Sequence, residues 1–306
     1  SELIDSNNEA FGALTGFGFG PDLIVTQLSG PPAAEGSFTV QATVCNQGTA
    51  DAPSTSLALY ATADTTVEFG PPPSGDFMIG NGWVDFLMPG RCRTVSVDAW
   101  TPPGAPAQYL AAAVDENDGV QELIESNNTF LGALTGFGSG QDLVVRGLEA
   151  PAAVDGAFTA RVTVCNQGTI QSGNGQVFVY SSEDQILDGG PPSPFGDFIL
   201  GGNSVPSLYP SACAVVEVQG WSPPTQDGNV YLIAQVDPDN TLVELIESNN
   251  TFVGALMGVG FGPDLIITGV TGPASASGSF GGQITVCNQG TADASSTMVE
   301  EASAVP

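Results

Sequence analysis

The side chains with the widest chemical reach are five cysteines, at Cys45, Cys92, Cys165, Cys213 and Cys287. Three of them lie in one hexapeptide, VCNQGT, which begins at Val44, Val164 and Val286, while Cys92 and Cys213 each follow about 50 residues after such a motif. Thiols that recur at matched positions pair as disulfides in an oxidising compartment, Cys45 with Cys92 and Cys165 with Cys213; the alternative is five buried free thiols. A second group is acidic: Asp115, Asn117, Asp118 and Glu122 return as Asp237, Asp239, Asn240 and Glu244. Oxygen donors at alternate positions closed by a glutamate suit Ca2+, so a calcium ion is expected, if at all, at Asp115, Asn117 and Glu122 and at Asp237, Asp239 and Glu244. The same residues also make an ordinary hairpin turn. Trp100 and Trp221, each followed within two residues by Pro-Pro, could stack a sugar ring or cover a neighbouring loop. The sequons at Asn127 and Asn249 are short enough to arise by chance.

Absent residue types narrow the chemistry. The chain has no histidine and no lysine, which removes the Ser-His-Asp triad, the Cys-His pair, the zinc-histidine site and the Schiff base. A glycosidase pair of carboxylates needs neither, but these acids recur once per repeat, as a structural motif does, and no enzyme is expected. With 33 acidic residues against four arginines, the formal net charge is -29. Such a surface repels nucleic acid and anionic membrane and favours cations as partners. Only 12% of residues are charged and 42% are hydrophobic, so a folded core is expected. No apolar run of about 18 residues is present, and no membrane span is expected. The opening SELIDSNNEA resembles neither an initiator methionine nor a signal peptide.

The elements that position these groups repeat along the chain. ELIDSNN at Glu2 returns as ELIESNN at Glu122 and Glu244, and DLIV at Asp22 returns as DLVV at Asp142 and DLII at Asp264. A fixed period of this kind marks a repeat array. The expected organisation is the last strand of a preceding repeat at 1–20, full repeats at 21–140 and 141–262, and a partial repeat at 263–306, which leaves the partner of Cys287 beyond Pro306. Within a repeat, short runs alternate apolar and polar residues between Gly, Pro, Asn and Asp turns, and helical spacing is absent. Strands are expected at 22–29, 37–45, 55–62, a short pair near 76–88, 92–100, 107–115 and 121–130. The fold class is therefore all-β, tandem immunoglobulin-like β-sandwich repeats of about 120 residues. Alternation puts Phe38, Val40, Ala42 and Val44 on the inner face and Cys45 on the outer one. Val95 and Val97 likewise face in while Cys92 faces out, so two outward cysteines on neighbouring antiparallel strands can bond directly.

The opening DLIV, the V-x-V-C-N-Q-G-T strand and turn, and the closing E-L-I-E-S-N-N resemble the CARDB domain, the cell adhesion related domain found in bacteria. The resemblance covers nearly the whole chain as two full copies and two fragments. It implies an immunoglobulin-like fold in secreted or surface-anchored bacterial or archaeal proteins, often in tandem, with no catalytic residues to carry over. The long stretch between NN and the next DL, FGALTGFGFGP in the first instance, departs from the family pattern.

The expected role is structural: a secreted or cell-surface protein whose units self-associate with like repeats into a fibre or filament. The rival is a carbohydrate-binding accessory module of a larger exported enzyme, with a glycan or cell-surface partner. Segments 9–20, 129–140 and 251–262 alternate Gly with large apolar residues and are too apolar for a solvated linker. Their residues Phe11, Leu14, Phe17, Phe19, Phe130, Leu134, Phe137, Phe252, Leu256 and Phe261 are expected at contacts between units.

Overall fold

The computed structural model describes residues 14–69, 76–104, 107–188, 197–222 and 228–295. The chain divides into two compact units, Ser1–Ser139 and Gly140–Pro306. The first contains β1 (Leu23–Ser29), β2 (Ala33–Ala34), β3 (Ser37–Asn46), β4 (Thr55–Thr62), β5 (Phe77–Val84), β6 (Cys92–Trp100), β7 (Ala107–Val114) and β8 (Thr129–Phe137). The second repeats this series one for one. Its strands are β9 (Leu143–Glu149), β10 (Ala153–Val154), β11 (Ala157–Asn166), β12 (Gly175–Ser182), β13 (Phe198–Val205), β14 (Cys213–Trp221), β15 (Gly228–Val236) and β16 (Thr251–Val259). It also carries a two-stranded sheet of β17 (Leu265–Thr271) and β18 (Gln283–Asn288).

In the second unit the repeat is a sandwich of two sheets, β14-β11-β9 and β10-β16-β15-β12-β13. The first unit has the same strand neighbours, joined into one continuous order by a single pairing of Gly80 with Ala99. Glycine permits this approach of β5 to β6, because a Cβ on Gly80 would sit 2.6 Å from the Asp98 carbonyl oxygen. At the matching Gly201 a Cβ would lie 2.2 Å from the carbonyl oxygen of Gln219. Gly201→Ala is therefore expected to push β13 off β14 and to lower stability by about 1–3 kcal/mol, read from the urea midpoint. An unchanged midpoint would show that β13 moves freely.

Alternation explains the core. On β3, Val40, Ala42 and Val44 are fully buried, and they meet Leu57 and Leu59 of β4, Val97 and Ala99 of β6 and Leu110, Ala112 and Val114 of β7. β4 is apolar on both faces: Ala58 and Tyr60 form a second, smaller cluster with Ala111 and Ala113, flanked by Val67 and Leu131. Two expectations about strands require correction. The short pair near 76–88 is one strand, β5, followed by a lone bridge between Ala52 and Leu87. The closing strand begins at Thr129 rather than spanning 121–130. Asp115 and Asp118 take left-handed backbone angles, φ 54° and 49°, so the chain turns there, and the buried Val120 and Ile124 anchor the segment that follows. Alternation in TFLGALTGF then builds the strand that pairs antiparallel with β7 and, at its end, parallel with β2.

Candidate functional site

Two constructions recur in both repeats, a cross-strand staple and a polar latch. β3 and β6 run antiparallel with Cys45 directly opposite Cys92, and the two are disulfide-bonded; Cys165 and Cys213 are opposed and bonded likewise on β11 and β14. In the first repeat the outward side chains along the same two strands also pair. Thr43 faces Thr94 at 3.0 Å and Thr39 donates to the Asp98 carboxylate at 3.1 Å. The staple thus ends a ladder whose register the strands already set. Cys287 is a free, exposed thiol within hydrogen-bonding reach of the Thr268 hydroxyl.

The latch brings three distant sequence motifs together. Asn46, fully buried, donates through Nδ2 to the carbonyls of Ala50 (2.8 Å) and Leu87 (3.0 Å). Its Oδ1 accepts from the backbone N–H groups of Asp22 (3.1 Å) and Gly48 (3.0 Å). Gln47 donates to one oxygen of the Asp22 carboxylate and Asn127 to the other. Glu122 accepts from the backbone N–H of Leu23 at 2.7 Å and from Asn128 Nδ2 at 3.4 Å. Gly48 has no room for a side chain, since a Cβ would lie 2.5 Å from the nitrogen of Asp22. The second repeat reproduces the set: Asp142 with Asn166, Gln167 and Asn249, and Glu244 with Leu143 and Asn250. In β17–β18 the first half recurs, with Asp264 held by Asn288 and Gln289. The D-L, V-C-N-Q-G-T and E-x-x-E-S-N-N motifs are thus three strands of one hydrogen-bonded knot.

The same motifs carry the family assignment. A model of the CARDB family matches the chain twice, over residues 20–131 and 140–254. The chain belongs to the CARDB family. Two solved domains are similar to parts of the chain. A CARDB domain from Pyrococcus furiosus, solved in complex with di-metal ions, is 28% identical; the match covers 40% of this chain and 94% of that one, with a TM-score of 0.30. A domain of a provisionally named cell surface protein from Methanosarcina acetivorans is 26% identical, with 39% and 91% covered and a TM-score of 0.30. No curated protein matches the chain.

In these CARDB repeats the residues considered for calcium are largely engaged by the protein. Asp115 accepts from the Thr55 hydroxyl at 2.5 Å and from the Val120 N–H at 2.7 Å, while Asp237 accepts from the hydroxyl and N–H of Thr241 and from the N–H of Leu242. Asn117 and Asp239 are exposed. Among the described residues no three His, Cys, Asp or Glu side chains are grouped to hold a metal ion. Glu122 and Glu244 are the unusual members. Burial raises both to a pKa of about 7, against the lowering effect of the Leu23 and Leu143 N–H groups, and neighbouring carboxylates raise them further.

The Gly-aromatic residues divide. Phe137 is buried in its own CARDB repeat, with its ring centroid 5.8 Å from that of Phe38, and Phe130 and Phe252 pack on their own cores. Phe137 is thereby corrected to an intra-repeat position, because the segment is itself the closing strand, while Phe130 and Phe252 stay partly exposed. Leu134 is half-buried opposite Tyr109, and Leu256 is exposed opposite Tyr231. Leu14, Phe17, Phe19 and Phe261 are exposed, Phe17 at 90% and Phe261 at 80%. Phe11 lies outside the described residues. Trp100 and Trp221 are exposed at 66% and 62%, and the Trp221 ring borders Gly156. The sequence reading missed the role of Asn127 and Asn128. The signal was the invariance of NN across its three occurrences at a fixed distance from Asp-Leu.

Proposed function

We propose that this chain is a non-catalytic segment of an exported bacterial or archaeal surface protein, in which stapled CARDB repeats serve as spacers and self-associate into a fibre. The observation that carries the reading is that each repeat commits its signature polar residues to its own latch and its cysteine pair to its own sheet. Two cross-strand disulfides fit an oxidising, extracytoplasmic location, and no helix among the described residues is long and apolar enough to cross a membrane. Phe17, Phe19 and Phe261 supply apolar contact area outside the folded cores. Sedimentation of the full chain is expected to give oligomers whose size grows with concentration. Phe17→Ser together with Phe261→Ser is expected to return it to the monomer with both cores intact. A wild-type chain that stays monomeric at millimolar concentration would refute the assembly role.

A glycan-binding reading draws on one repeated feature. Trp100 and Trp221 occupy the same register position, opposite Ser37 and Ala157, with one exposed ring per repeat. Sugar stacking on these rings predicts loss of glycan retention in Trp100→Ala and Trp221→Ala.

A further inference from the structure

β17 and β18 reproduce the register of β1 and β3. Leu265 lies opposite Asn288 and Ile266 opposite Cys287, as Leu23 lies opposite Asn46 and Ile24 opposite Cys45, with the same bulge after Ile267 and Val25. The hydroxyl beside the sulfur is kept as well, Thr26 at 3.6 Å from Cys45 and Thr268 at 3.4 Å from Cys287. What differs is the neighbour on the far side. β3 and β11 each pair there with a further strand, β6 and β14, to which Cys45 and Cys165 are bridged. Among the described residues β18 pairs only with β17, and Cys287 is free. The apolar face is open too. Ile267 is 62% exposed where Val25 and Val145 are 5% and 4% exposed. Ile284 and Val286 are exposed where Ala42, Val44, Val162 and Val164 are fully buried.

We propose that the free edge of β18 is an acceptor for a strand of the β6 and β14 pattern donated by a separate polypeptide, which pairs antiparallel with its leading cysteine opposite Cys287 and is bridged to it. The two resident stapling strands, CRTVSVDAW and CAVVEVQGW, define what fits. Counted from the cysteine, the fourth and sixth residues are valine in both, and Val97, Val216 and Val218 are buried. The eighth is small, Ala99 or Gly220, because it lies opposite Phe38 or Phe158; a Cβ on Gly220 would come within 2.5 Å of the Phe158 ring. Phe280 stands at the same sequence distance from Cys287 as Phe38 from Cys45, so an incoming strand needs a small eighth residue. The N–H of Asn46 donates to the Arg91 carbonyl on the β6 side, and N–H groups alternate sides along a strand, so those of Ile284 and Val286 face the free edge. An open edge of this kind templates a further strand. The bridge forms by thiol–disulfide exchange with an incoming cysteine carried as a mixed disulfide with a small thiol. The Cys287 thiolate attacks the sulfur of that cysteine, the new S–S bond replaces the old one, and the small thiol leaves with the electron pair, so no further oxidant is needed.

The probe is the peptide CAVVEVQGW, the sequence of β14, as its mixed disulfide with glutathione, added to the intact chain. Two controls accompany it: a scrambled peptide that keeps the leading cysteine, and the same peptide carrying Gly220→Leu. Mass spectrometry is expected to find one peptide per chain, on Cys287, formed about tenfold faster than with either control because pairing raises the local concentration of the reacting sulfur. The preference should vanish in urea. In the adduct, the amides of Ile284 and Val286 should exchange their protons more slowly than in the free chain. Equal rates for the matched and scrambled peptides would mean an exposed thiol and nothing more, and would overturn the acceptor. So would an adduct whose Ile284 and Val286 amides exchange as before, which would be tethered without pairing. Preferential formation of Cys287–Cys287 dimers would give the edge to a second copy and equally overturn the proposal. Neither Phe17 nor Phe261 takes part, so strand capture and fibre assembly can fail separately.

Discussion

Asn46→Ala is expected to destabilise the first repeat by about 4 kcal/mol, near the upper end for a single substitution. The fully buried amide satisfies two carbonyls and two N–H groups drawn from β1, from the turn after β3 and from the residues before β6. Alanine leaves the Ala50 carbonyl and the N–H groups of Asp22 and Gly48 without this partner, each at about 1–3 kcal/mol before relaxation and water entry reduce the sum, while the Leu87 carbonyl keeps the N–H of Ala52 at 2.8 Å. Asn166 holds the second repeat by the same bonds and is untouched, so the calorimetric melt is expected to split, with only one component moved to lower temperature. Asn46→Asp retains Oδ1 as an acceptor and loses the two donated bonds, so its effect should fall between. A single transition at the wild-type temperature in Asn46→Ala would mean that the amide is not what holds the three motifs together.

Replacing Cys45 and Cys92 together by alanine is expected to cost about 4 kcal/mol, because the bridge closes a loop spanning a sequence separation of 47 residues and restricts the unfolded chain. The native sheet should be unaffected. β3 and β6 are in register from Ser37 opposite Trp100 to Cys45 opposite Cys92, and the Thr43–Thr94 and Thr39–Asp98 contacts remain. Circular dichroism before denaturation should therefore match the wild type while the denaturant midpoint falls. The corresponding change at Cys165 and Cys213 should act on its own repeat by a similar amount. A midpoint that does not move would indicate that the unfolded chain is already compact around β3 and β6.

Much of the sandwich was legible because one rule, side-chain alternation, governs both burial and pairing. It placed Val40, Ala42 and Val44 inside, and it put Cys45 and Cys92 on the outside where they meet. It failed at ELIESNN, where Glu125 and Ser126 face water but Glu122, Asn127 and Asn128 bond within the protein. Glu122 and Asn127 turn back onto Leu23 and Asp22, about a hundred residues earlier in the chain, and Asn128 donates to Glu122. A pattern read along one segment cannot register bonds of that span. The Gly-aromatic stretch misled for the opposite reason. Its residues are apolar enough for contact between molecules, but Phe137 finds Phe38 within its own repeat. In the acidic turn, residue type and spacing allowed either a calcium loop or an ordinary hairpin turn and could not register the hydroxyl of Thr55, which donates to Asp115 from a separate strand.

The parallel pairing of β2 with β8 bears on how a repeat carries tension. Ala33 and Ala34, near the start of the repeat, lie beside Gly136 and Phe137 at its end, tied by N–H bonds from Gly136 to Pro32 and from Gly138 to Ala34, both at 2.9 Å. Pulling the two ends of a repeat apart loads these bonds lengthwise and together, as a shear, rather than peeling them one at a time. Should the shear joint give way, the covalent bond between Cys45 and Cys92 still excludes the chain between them from extension. The extension of a repeat under load is thereby bounded by the chain outside the bridge.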